Sequence, residues 1–382
     1  MDVTVIGGGI VGLSAAYYLA ERDADVTLYE KGSLGMGSTA RSAGGIRSQF
    51  ETPVNVELSL ASKRVWNEFE SAFGVDIAYR KTGYLLLARS QAVAETFREE
   101  VRMQRDLGAV SEFLSPEEAT AHCEGLVADR FVGATYNGDD GFADPNLAVQ
   151  GYAGAAREAG VDIRTGTAVT GMREKSDAVV GIETEEARHR ADFVVNAGGP
   201  HARQLGAMAG VELPIRPRQR QIAVVDATVP VPEGDPLTID LETGSYFRPE
   251  REGAALVGGH FADSDPDQDP DDYDDSMEMA WAADAVGRAA EWTHYFDADT
   301  RIKRGWAGLY AVTPDNHPVI EESTPGLITA SGFSGHGFQH APATGQIVAD
   351  LVFEGEPRLV DVSALTSDRF ERGEAMVEKN VV

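Results

Sequence analysis

Cysteine is almost absent from this sequence, because Cys123 is the single example among 382 residues. A disulfide within the chain needs two cysteines, and a cysteine-ligated cluster or zinc site needs several, so all three are excluded. Cys123 lies in the stretch SPEEATAHCEGL, which has a helical composition. We therefore predict a small packed apolar residue there rather than a reactive thiol.

Lysine is also scarce. It supplies 6 of the 33 basic residues, whereas Asp and Glu number 62 and bring the net charge to −29. Such a surface repels phosphates, which argues against nucleic acid as a partner. A lysine-poor acidic surface is typical of a cytosolic protein from a high-salt organism, and we expect that setting. An acidic protein from a mesophile is the alternative.

Long apolar runs are missing as well. No stretch approaches the roughly 20 apolar residues that a membrane-spanning helix needs. The chain opens on the apolar strand pattern DVTVIGGG, without the basic segment or small-residue cleavage site of an export signal. We expect a cytoplasmic protein with no membrane span, and its length suggests about two domains.

The first thirty residues carry the clearest motif. VTVI predicts a buried strand, IVGLSAAYYLAER a helix and VTLYE a second strand. Between the first strand and the helix, Gly7, Gly9 and Gly12 form G-x-G-x-x-G, and Glu30 ends the second strand. In that context the motif predicts a dinucleotide site, with phosphates on the helix N-terminus. Glu30 is then expected to accept hydrogen bonds from the ribose hydroxyls.

Further along the chain, helical patterns cover residues 53–73, 90–107 and 146–160, and GYLLLA predicts a strand. A run of strand patterns follows, including AVVGIETE, ADFVVNAGG, RQRQIAVVDA and AALVGGH. The acidic stretch from Asp263 to Asp275 predicts a loop or the solvated start of a helix, because prolines and like charges fill it. Those prolines also interrupt any calcium-loop pattern, and we predict no metal site.

Two later segments favour FAD over NAD as the dinucleotide. KGSLGMGSTARSAGG is a second Gly- and Ser-rich loop that could line a long extended cofactor. The distant unit LITASGFSGHGFQHAP predicts a strand, a glycine turn and another helix N-terminus, which could stabilise negative charge on a reduced flavin ring. A simple nicotinamide dehydrogenase does not need its C-terminal part to return to the nucleotide.

With these motifs the chain resembles the D-amino-acid oxidase/sarcosine oxidase superfamily of flavoproteins. Within it, the chain is most similar to the β subunits of archaeal proline dehydrogenase and heterotetrameric sarcosine oxidase. The similarity rests on GSTARSAGGIRSQF, KTGYLLLA, WAGLYAVTPDNHPVI, GFSGHGFQHAPATGQ and RFERGE. It implies an α/β (α+β) fold in which residues 1–48, 140–210 and 300–382 form a discontinuous Rossmann-like FAD-binding domain. Residues 49–139 and 211–299 would form a sheet-rich substrate domain.

The resemblance also implies site residues. Arg47 matches an arginine that holds the substrate carboxylate, a contact for which a bidentate guanidinium is well suited. Tyr246 and His260 match a tyrosine and a histidine that face the substrate, and Gln339 stands where sarcosine oxidases place a second carboxylate-binding lysine. The alternatives are a surface arginine, an ordinary strand tyrosine and a packed histidine. The predicted cofactor-binding residues are Gly7, Gly9, Ile10, Val11, Gly12, Glu30, Lys31, Ser38, Thr39, Arg41, Gly44, Gly45, Val169, Ala197, Gly198, Gly308, Gly332, Gly335, His336, Gly337, Phe338 and Gln339.

Three departures from the family pattern refine this expectation. Gly308 replaces the cysteine and Arg41 the histidine to which some relatives attach their flavin, so we predict noncovalent FAD. Leu256 replaces the lysine that promotes oxygen reduction in sarcosine-type oxidases, which favours a dehydrogenase.

The sequence thus predicts an enzyme that oxidises a small amino acid or secondary amine by hydride transfer to flavin N5. An oxidase that produces hydrogen peroxide is the first alternative. A non-catalytic flavoprotein subunit or assembly factor of an electron-transfer complex is the second. The substrate and the electron acceptor stay open, and an α-type partner subunit is compatible with the leading hypothesis.

Overall fold

The computed structural model describes residues 1–261 and 264–381. Asp263, where the predicted acidic loop begins, and Val382, the last residue of the predicted FAD-binding domain, lie outside the described residues.

The described residues form the following strands and helices, numbered in chain order. The strands are β1 (Asp2–Ile6), β2 (Asp25–Tyr29), β3 (Gly45–Ile46), β4 (Tyr84–Ala88), β5 (Glu112–Leu114), β6 (Gly133–Asn137), β7 (Gly141–Phe142), β8 (Asp162–Arg164), β9 (Val169–Lys175), β10 (Ala178–Thr184), β11 (Arg188–Arg190), β12 (Phe193–Asn196), β13 (Arg216–Asp226), β14 (Leu237–Asp240), β15 (Ser245–Pro249), β16 (Ala254–Gly259), β17 (Arg301–Val312), β18 (Val319–Thr324) and β19 (Leu327–Ser331). The α-helices are α1 (Ile10–Ala20), α2 (Pro53–Asn67), α3 (Phe69–Phe73), α4 (Gln91–Asp106), α5 (Pro116–Ala119), α6 (Pro145–Glu158), α7 (Ala202–Ala207), α8 (Met279–Ala290), α9 (Gly337–Glu354) and α10 (Arg369–Arg372).

A six-stranded sheet has the order β18-β19-β12-β1-β2-β8, and all its pairs are parallel except β18 with β19. Its strands come from both ends of the chain, so the sheet forms only when distant segments meet. Helices α1 and α9 pack against each other on one face, where a Cβ built at Gly345 would lie 2.3 Å from Ser14 Oγ. Only glycine allows the two helices to approach this closely.

An eight-stranded sheet has the order β17-β13-β16-β15-β14-β4-β6-β5. Neighbouring strands are antiparallel apart from β14 and β4, which pair in parallel. A three-stranded sheet (β9 to β11) and the short pair of β3 with β7 complete the sheets of the described residues. This combination of a parallel sheet flanked by helices with a mixed, mainly antiparallel sheet confirms the predicted α/β (α+β) class with a Rossmann-like unit.

The core beneath the eight-stranded sheet is rich in aromatic residues. Phe247 and Trp292 stack there with ring centroids 5.5 Å apart. Cys123 belongs to the same cluster and is fully buried, so the prediction of a packed, apolar cysteine is confirmed. The helix predicted for this stretch is shorter than expected: α5 ends at Ala119, and Cys123 lies beyond it, outside any helix.

The helix expected over residues 53–73 is interrupted. Helix α2 ends at Asn67, Glu68 leaves the helical region with φ −104° and ψ 12°, and α3 then begins. The interruption places both Trp66 and Phe69 in the core, where their rings stack at 5.3 Å. In residues 1–261 and 264–381, no helix combines the length and apolar character needed to cross a bilayer.

Candidate functional site

The turn between β1 and α1 is built so tightly that side chains are excluded. Gly7 has φ +110°, and a Cβ there would lie 2.4 Å from the Ala197 carbonyl oxygen. A Cβ at Gly12 would lie 2.0 Å from the Gly7 oxygen. Both glycines are therefore required by backbone sterics.

Helix α1 begins directly at this turn. Gly9 is its N-cap and offers no side chain to the first N–H groups, and the first turn holds no acidic residue. Thr39 approaches from the following loop, and its Oγ1 accepts a hydrogen bond from Ile10 N at 3.2 Å. The positive end of the helix dipole is left for an anion.

Glu30 is fixed by the backbone around it. Its Oε2 accepts a hydrogen bond from Gly8 N and its Oε1 one from Gly32 N, both at 2.7 Å. Each oxygen keeps a second lone pair for a hydroxyl donor. The carboxylate therefore stands at the end of β2 in one orientation.

These groups open into a long cleft with a free volume of about 2120 Å³, including its part open to solvent. Most of the predicted cofactor-binding residues line it: Gly7, Gly9, Ile10, Val11, Glu30, Lys31, Ser38, Thr39, Arg41, Val169, Ala197, Gly198, Gly332, Gly335, Gly337 and Phe338. The remaining predicted residues are not among its lining: Gly12, Gly44, Gly45, Gly308, His336 and Gln339. Gly12 and Gly44 instead allow close backbone contacts, since a Cβ at either would lie 2.0 Å from a carbonyl oxygen.

His336 caps the start of α9 from inside the protein. Its Nε2 lies 2.9 Å from the Asn316 carbonyl oxygen and its Nδ1 lies 3.2 Å from His340 Nδ1. Burial lowers the pKa of His336 to about 3 and that of His340 well below its usual value. Both imidazoles are therefore neutral at physiological pH, and the cleft-facing end of α9 carries no added positive charge from them.

Gln339 and Arg47 form a reciprocal pair. Gln339 Oε1 accepts a hydrogen bond from Arg47 N at 3.2 Å, and Gln339 Nε2 donates one to the Arg47 carbonyl oxygen at 3.1 Å. The side chain of Gln339 is thus occupied with the chain just after β3. Its predicted contact with substrate stays a prediction.

The Arg47 guanidinium is buried rather than on the surface. It donates to the carbonyl oxygens of Gln49 and Asn380 and lies 4.0 Å from the centroid of the Phe50 ring. Burial lowers the pKa of Arg47, and neighbouring acidic groups oppose that shift. The surface alternative is excluded, while its binding of a carboxylate stays a prediction.

A second, smaller cavity adjoins the cleft, and we call it the tyrosine cavity. It has a free volume of about 410 Å³, including its part open to solvent, of which about 30 Å³ can hold the centre of a water molecule. Its walls include Arg41, Arg220, Ile222, Tyr246 and Tyr310. The cavity and the cleft share Ser38, Arg41, Ser42, Leu309 and Tyr310. The two spaces are therefore neighbours across a common wall.

The tyrosines of this cavity are kept protonated. Burial raises the pKa of Tyr246 well above its usual value, and nearby Tyr310 and Tyr84 add to the effect. Burial also raises the pKa of Tyr310, although the charges of Arg220 and Arg47 oppose the shift. Both phenols can donate hydrogen bonds at neutral pH, and neither is a base there.

His260 follows β16 but is not among the residues that line either cavity. Its side chain is 30 % exposed, and its Nε2 lies 3.9 Å from Asp265 Oδ1. Burial lowers the pKa of His260, and the charge of Arg220 lowers it further. The ring is neutral at pH 7 and stands beside the Arg220–Asp265 pair.

Sequence reasoning missed Arg220 and Tyr310. Arg220 lies on β13 and Tyr310 on β17, and these strands pair along their lengths. Tyr310 falls inside the quoted motif WAGLYAVTPD, and Arg220 inside RQRQIAVVDA. The signal was present as a polar position in each strand, but the cavity that joins them depends on strand pairing.

Two of the three departures from the family pattern, Gly308 and Arg41, meet in space. A Cβ built at Gly308 would lie 2.7 Å from Arg41 Cβ, so the Arg41 side chain passes over the position where some relatives have cysteine. Leu256 is fully buried in an apolar cluster with Tyr246 and Ile222.

The cleft fits a long dinucleotide. At its phosphate end the N-cap Gly9 has no side chain, the first turn of α1 has no acidic residue, and a Cβ at Gly9 would have only Thr39 Oγ1 within 4 Å. The sequence model of the family described as "FAD dependent oxidoreductase" matches residues 2–351. The chain belongs to the FAD-dependent oxidoreductase family.

Relatives in this family span nearly the whole chain. FAD-dependent oxidoreductase domain-containing protein 1 of Bos taurus is 30 % identical and covers 99 % of this chain and 86 % of its own. The sarcosine oxidase subunit beta of Rhizobium meliloti is 28 % identical, over 99 % of this chain and 90 % of its own. The crystal structure of L-proline dehydrogenase from P. horikoshii is 32 % identical with a TM-score of 0.89, over 98 % of each chain. The cofactor of this oxidoreductase is FAD, as predicted.

Proposed function

We propose that this oxidoreductase converts a small amino acid or secondary amine to the imine, as a dehydrogenase whose acceptor is not oxygen. The observation that carries the proposal is the tyrosine cavity, which shares a wall with the FAD cleft and is lined by two tyrosines and two arginines. Two relatives are named for the oxidation of sarcosine and of L-proline, both small secondary amines with a carboxylate.

FAD accepts a hydride at N5 when it is bound, which is the chemistry that an amine C–H bond requires. The residues of the chain bind the cofactor and orient the substrate. The start of α1 would hold the pyrophosphate, Glu30 would hold the ribose, and the start of α9 would place a positive dipole end toward the flavin.

The substrate has to lose hydride as a neutral amine. Tyr246, which stays protonated, would donate a hydrogen bond that orients it. His260 remains the family-derived candidate that faces the substrate, and it stands beside the Arg220–Asp265 pair rather than in the wall of either cavity. Arg47 remains the family-derived candidate for the carboxylate, with Gln339 holding its backbone.

Three features support the finer assignments. Leu256, buried among apolar residues, gives no cation to promote oxygen reduction, which favours a dehydrogenase. Gly308 and Arg41 lack a thiol or imidazole for a covalent bond, which favours noncovalent FAD. The separate six- and eight-stranded sheets support two domains, although β17 (Arg301–Val312), which the predicted boundary at residue 300 assigns to the FAD-binding domain, pairs within the eight-stranded sheet. An α-type partner subunit belongs to the same proposal, since one relative is named as a beta subunit.

Anaerobic titration of the yellow protein with a panel of amines and amino acids tests the function. Bleaching by a small carboxylated amine, followed by slow reoxidation in air, is the expected result. Fast reoxidation would assign an oxidase. A flavin that no member of the panel reduces would assign a non-catalytic subunit.

Tyr246→Phe sharpens this test. We expect FAD to stay bound and the rate of flavin reduction to fall about tenfold, because one neutral hydrogen bond is lost. Tyr136→Phe is the matched control, since Tyr136 lines neither cavity and its hydroxyl makes only a 3.4 Å contact with the Thr82 carbonyl oxygen. Equal rates in the two variants would remove Tyr246 from the site.

A further inference from the structure

The tyrosine cavity contains a guanidinium that the family resemblance did not point to. Arg220 lines the cavity, its side chain is only 16 % exposed, and its guanidinium carbon lies 5.5 Å from the centroid of the Tyr310 ring. Arg220 is paired across the strands with Gly308, which has no side chain to fill the space beside it. A cation thus stands at the wall of a small cavity next to the cofactor.

The Arg220 guanidinium already holds a carboxylate. Its Nη1 donates to Asp265 Oδ1 at 2.8 Å and its Nη2 donates to Asp265 Oδ2 at 2.9 Å. This fork-to-fork geometry is the one that an arginine uses for any carboxylate, including that of an amino acid. Asp265 therefore shows which chemical group the guanidinium is arranged to receive.

Asp265 itself is positioned so that the carboxylate of a ligand could replace it on Arg220. Residues 264–269 form neither helix nor strand, and the Asp265 side chain is 34 % exposed. Asp267 pairs with Arg216 at 2.7 Å and with Arg218 at 3.0 Å, and Gln268 N donates to the Pro217 carbonyl oxygen at 2.9 Å. These contacts keep the segment on β13, so Asp265 can release Arg220 by a local side-chain movement.

Arg47 is less free than Arg220. Its donors are directed at two carbonyl oxygens of the main chain, which belong to Gln49 and Asn380. A substrate that took those donors would leave the buried carbonyls unpaired. Arg220 Nη1 also donates to one main-chain carbonyl oxygen, that of Gln219, at 2.7 Å, and a substrate that displaced only Asp265 would leave this bond in place. Asp265 would be released to solvent, where a carboxylate is well hydrated.

We propose that Arg220 binds the carboxylate of the substrate and that Asp265 occupies the guanidinium until an incoming carboxylate displaces it. This inference deepens the proposed function and rests on it for the identity of the ligand. Asp265 then acts as an internal competitor, which sets the affinity for carboxylated amines and leaves the positive charge neutralised between turnovers.

Acetate binding to the FAD-loaded protein tests this directly, with acetamide as the neutral control and the flavin absorbance spectrum as the readout. The test needs no turnover, so it can fail or succeed independently of whether any amine reduces the flavin. We expect acetate, but not acetamide, to perturb the spectrum.

The Kd for acetate is expected to change in opposite directions in variants of Arg220 and of Asp265. Arg220→Gln should raise the Kd for acetate about 10- to 100-fold, because a charge-assisted bidentate contact is lost. Asp265→Asn should lower that Kd about 3- to 10-fold, because the internal competitor is weakened. Asp267→Asn removes a neighbouring carboxylate that pairs with Arg216 and Arg218 rather than with Arg220, and it should change the Kd less than twofold.

Several outcomes would overturn the inference: no acetate response in the FAD-loaded wild type, an unchanged Kd in Arg220→Gln, or weaker binding in Asp265→Asn. Loss of acetate binding in Arg47→Lys, with normal binding in Arg220→Gln, would also overturn it and restore Arg47. If Arg220→Gln does not retain FAD, Asp265→Asn decides alone, since it leaves the arginine in place.

Discussion

The FAD cleft and the tyrosine cavity share a wall but are built in different ways. The phosphate end of the cleft is made of main chain: Gly7 and Gly12 lie against carbonyl oxygens, and the N-cap of α1 is Gly9, which has no side chain. The cavity is made of side chains from separate strands, among them Arg220, Tyr246 and Tyr310. A site made of main chain depends on the spacing of residues, whereas a site made of side chains depends on which strands lie side by side.

Gly12→Ala gives the largest effect expected and tests the main-chain part. Its Cβ would meet the Gly7 oxygen at 2.0 Å, so the turn has to open and FAD retention should fall at least 100-fold. The ratio of flavin to protein absorbance after dialysis measures this. Gly154→Ala in α6 is the control, because its Cβ meets nothing within 4 Å. Equal FAD content in the two variants would contradict the steric argument.

Arg47→Ala tests whether the Arg47 side chain stabilises the fold. Removal of its guanidinium leaves the buried carbonyl oxygens of Gln49 and Asn380 without their donor, so the free energy of unfolding should drop by about 2–4 kcal/mol. Denaturant titration measures the drop. Arg372→Ala removes a surface arginine paired with Asp368 and Glu374, and it should leave the denaturation midpoint unchanged, because exposed ion pairs contribute little. A drop no larger than that of the control would show that Arg47 is not structural.

A lower pH gives the smallest effect expected, and it tests the buried histidines at the start of α9. The folded-state pKa of His336 is about 3, below the unfolded value of 6.5, so the unfolded state binds more protons between these pH values. Stability is therefore lost as the pH falls below 6.5, by about 2 kcal/mol for this group at pH 5. Denaturant midpoints at pH 7 and pH 5 measure the loss, and His336→Gln should show less of it. The same pH dependence in variant and wild type would exclude His336 as its source.

Most of the cleft could be predicted from sequence because its determinants are local. The spacing of Gly7, Gly9 and Gly12 encodes the turn, and Glu30 follows at the end of the next strand. The break at Glu68 could not be predicted, because it serves the packing of two aromatic rings rather than any local preference.

The tyrosine cavity was only partly predictable for a similar reason. The family resemblance pointed to Tyr246 but not to Arg220 or Tyr310. A strand pattern in the sequence shows that side chains alternate between the two faces of a sheet, but it does not show which strands are neighbours. The pair of Arg220 with Asp265 joins residues that are distant in the chain and separated by β14, β15 and β16. Only the folded arrangement brings them together.

The order of strands in the six-stranded sheet has a consequence for synthesis. The residues of the glycine turn are synthesised within the first dozen of the chain. The elements that complete its surroundings come much later, since β19 ends at Ser331 and α9 at Glu354. A growing polypeptide therefore carries the phosphate-binding turn for almost the whole of translation before the walls of the cleft exist. Capture of FAD is then one of the last steps of biogenesis, and a chain released before residue 337 would contain the eight-stranded sheet but would not hold the flavin.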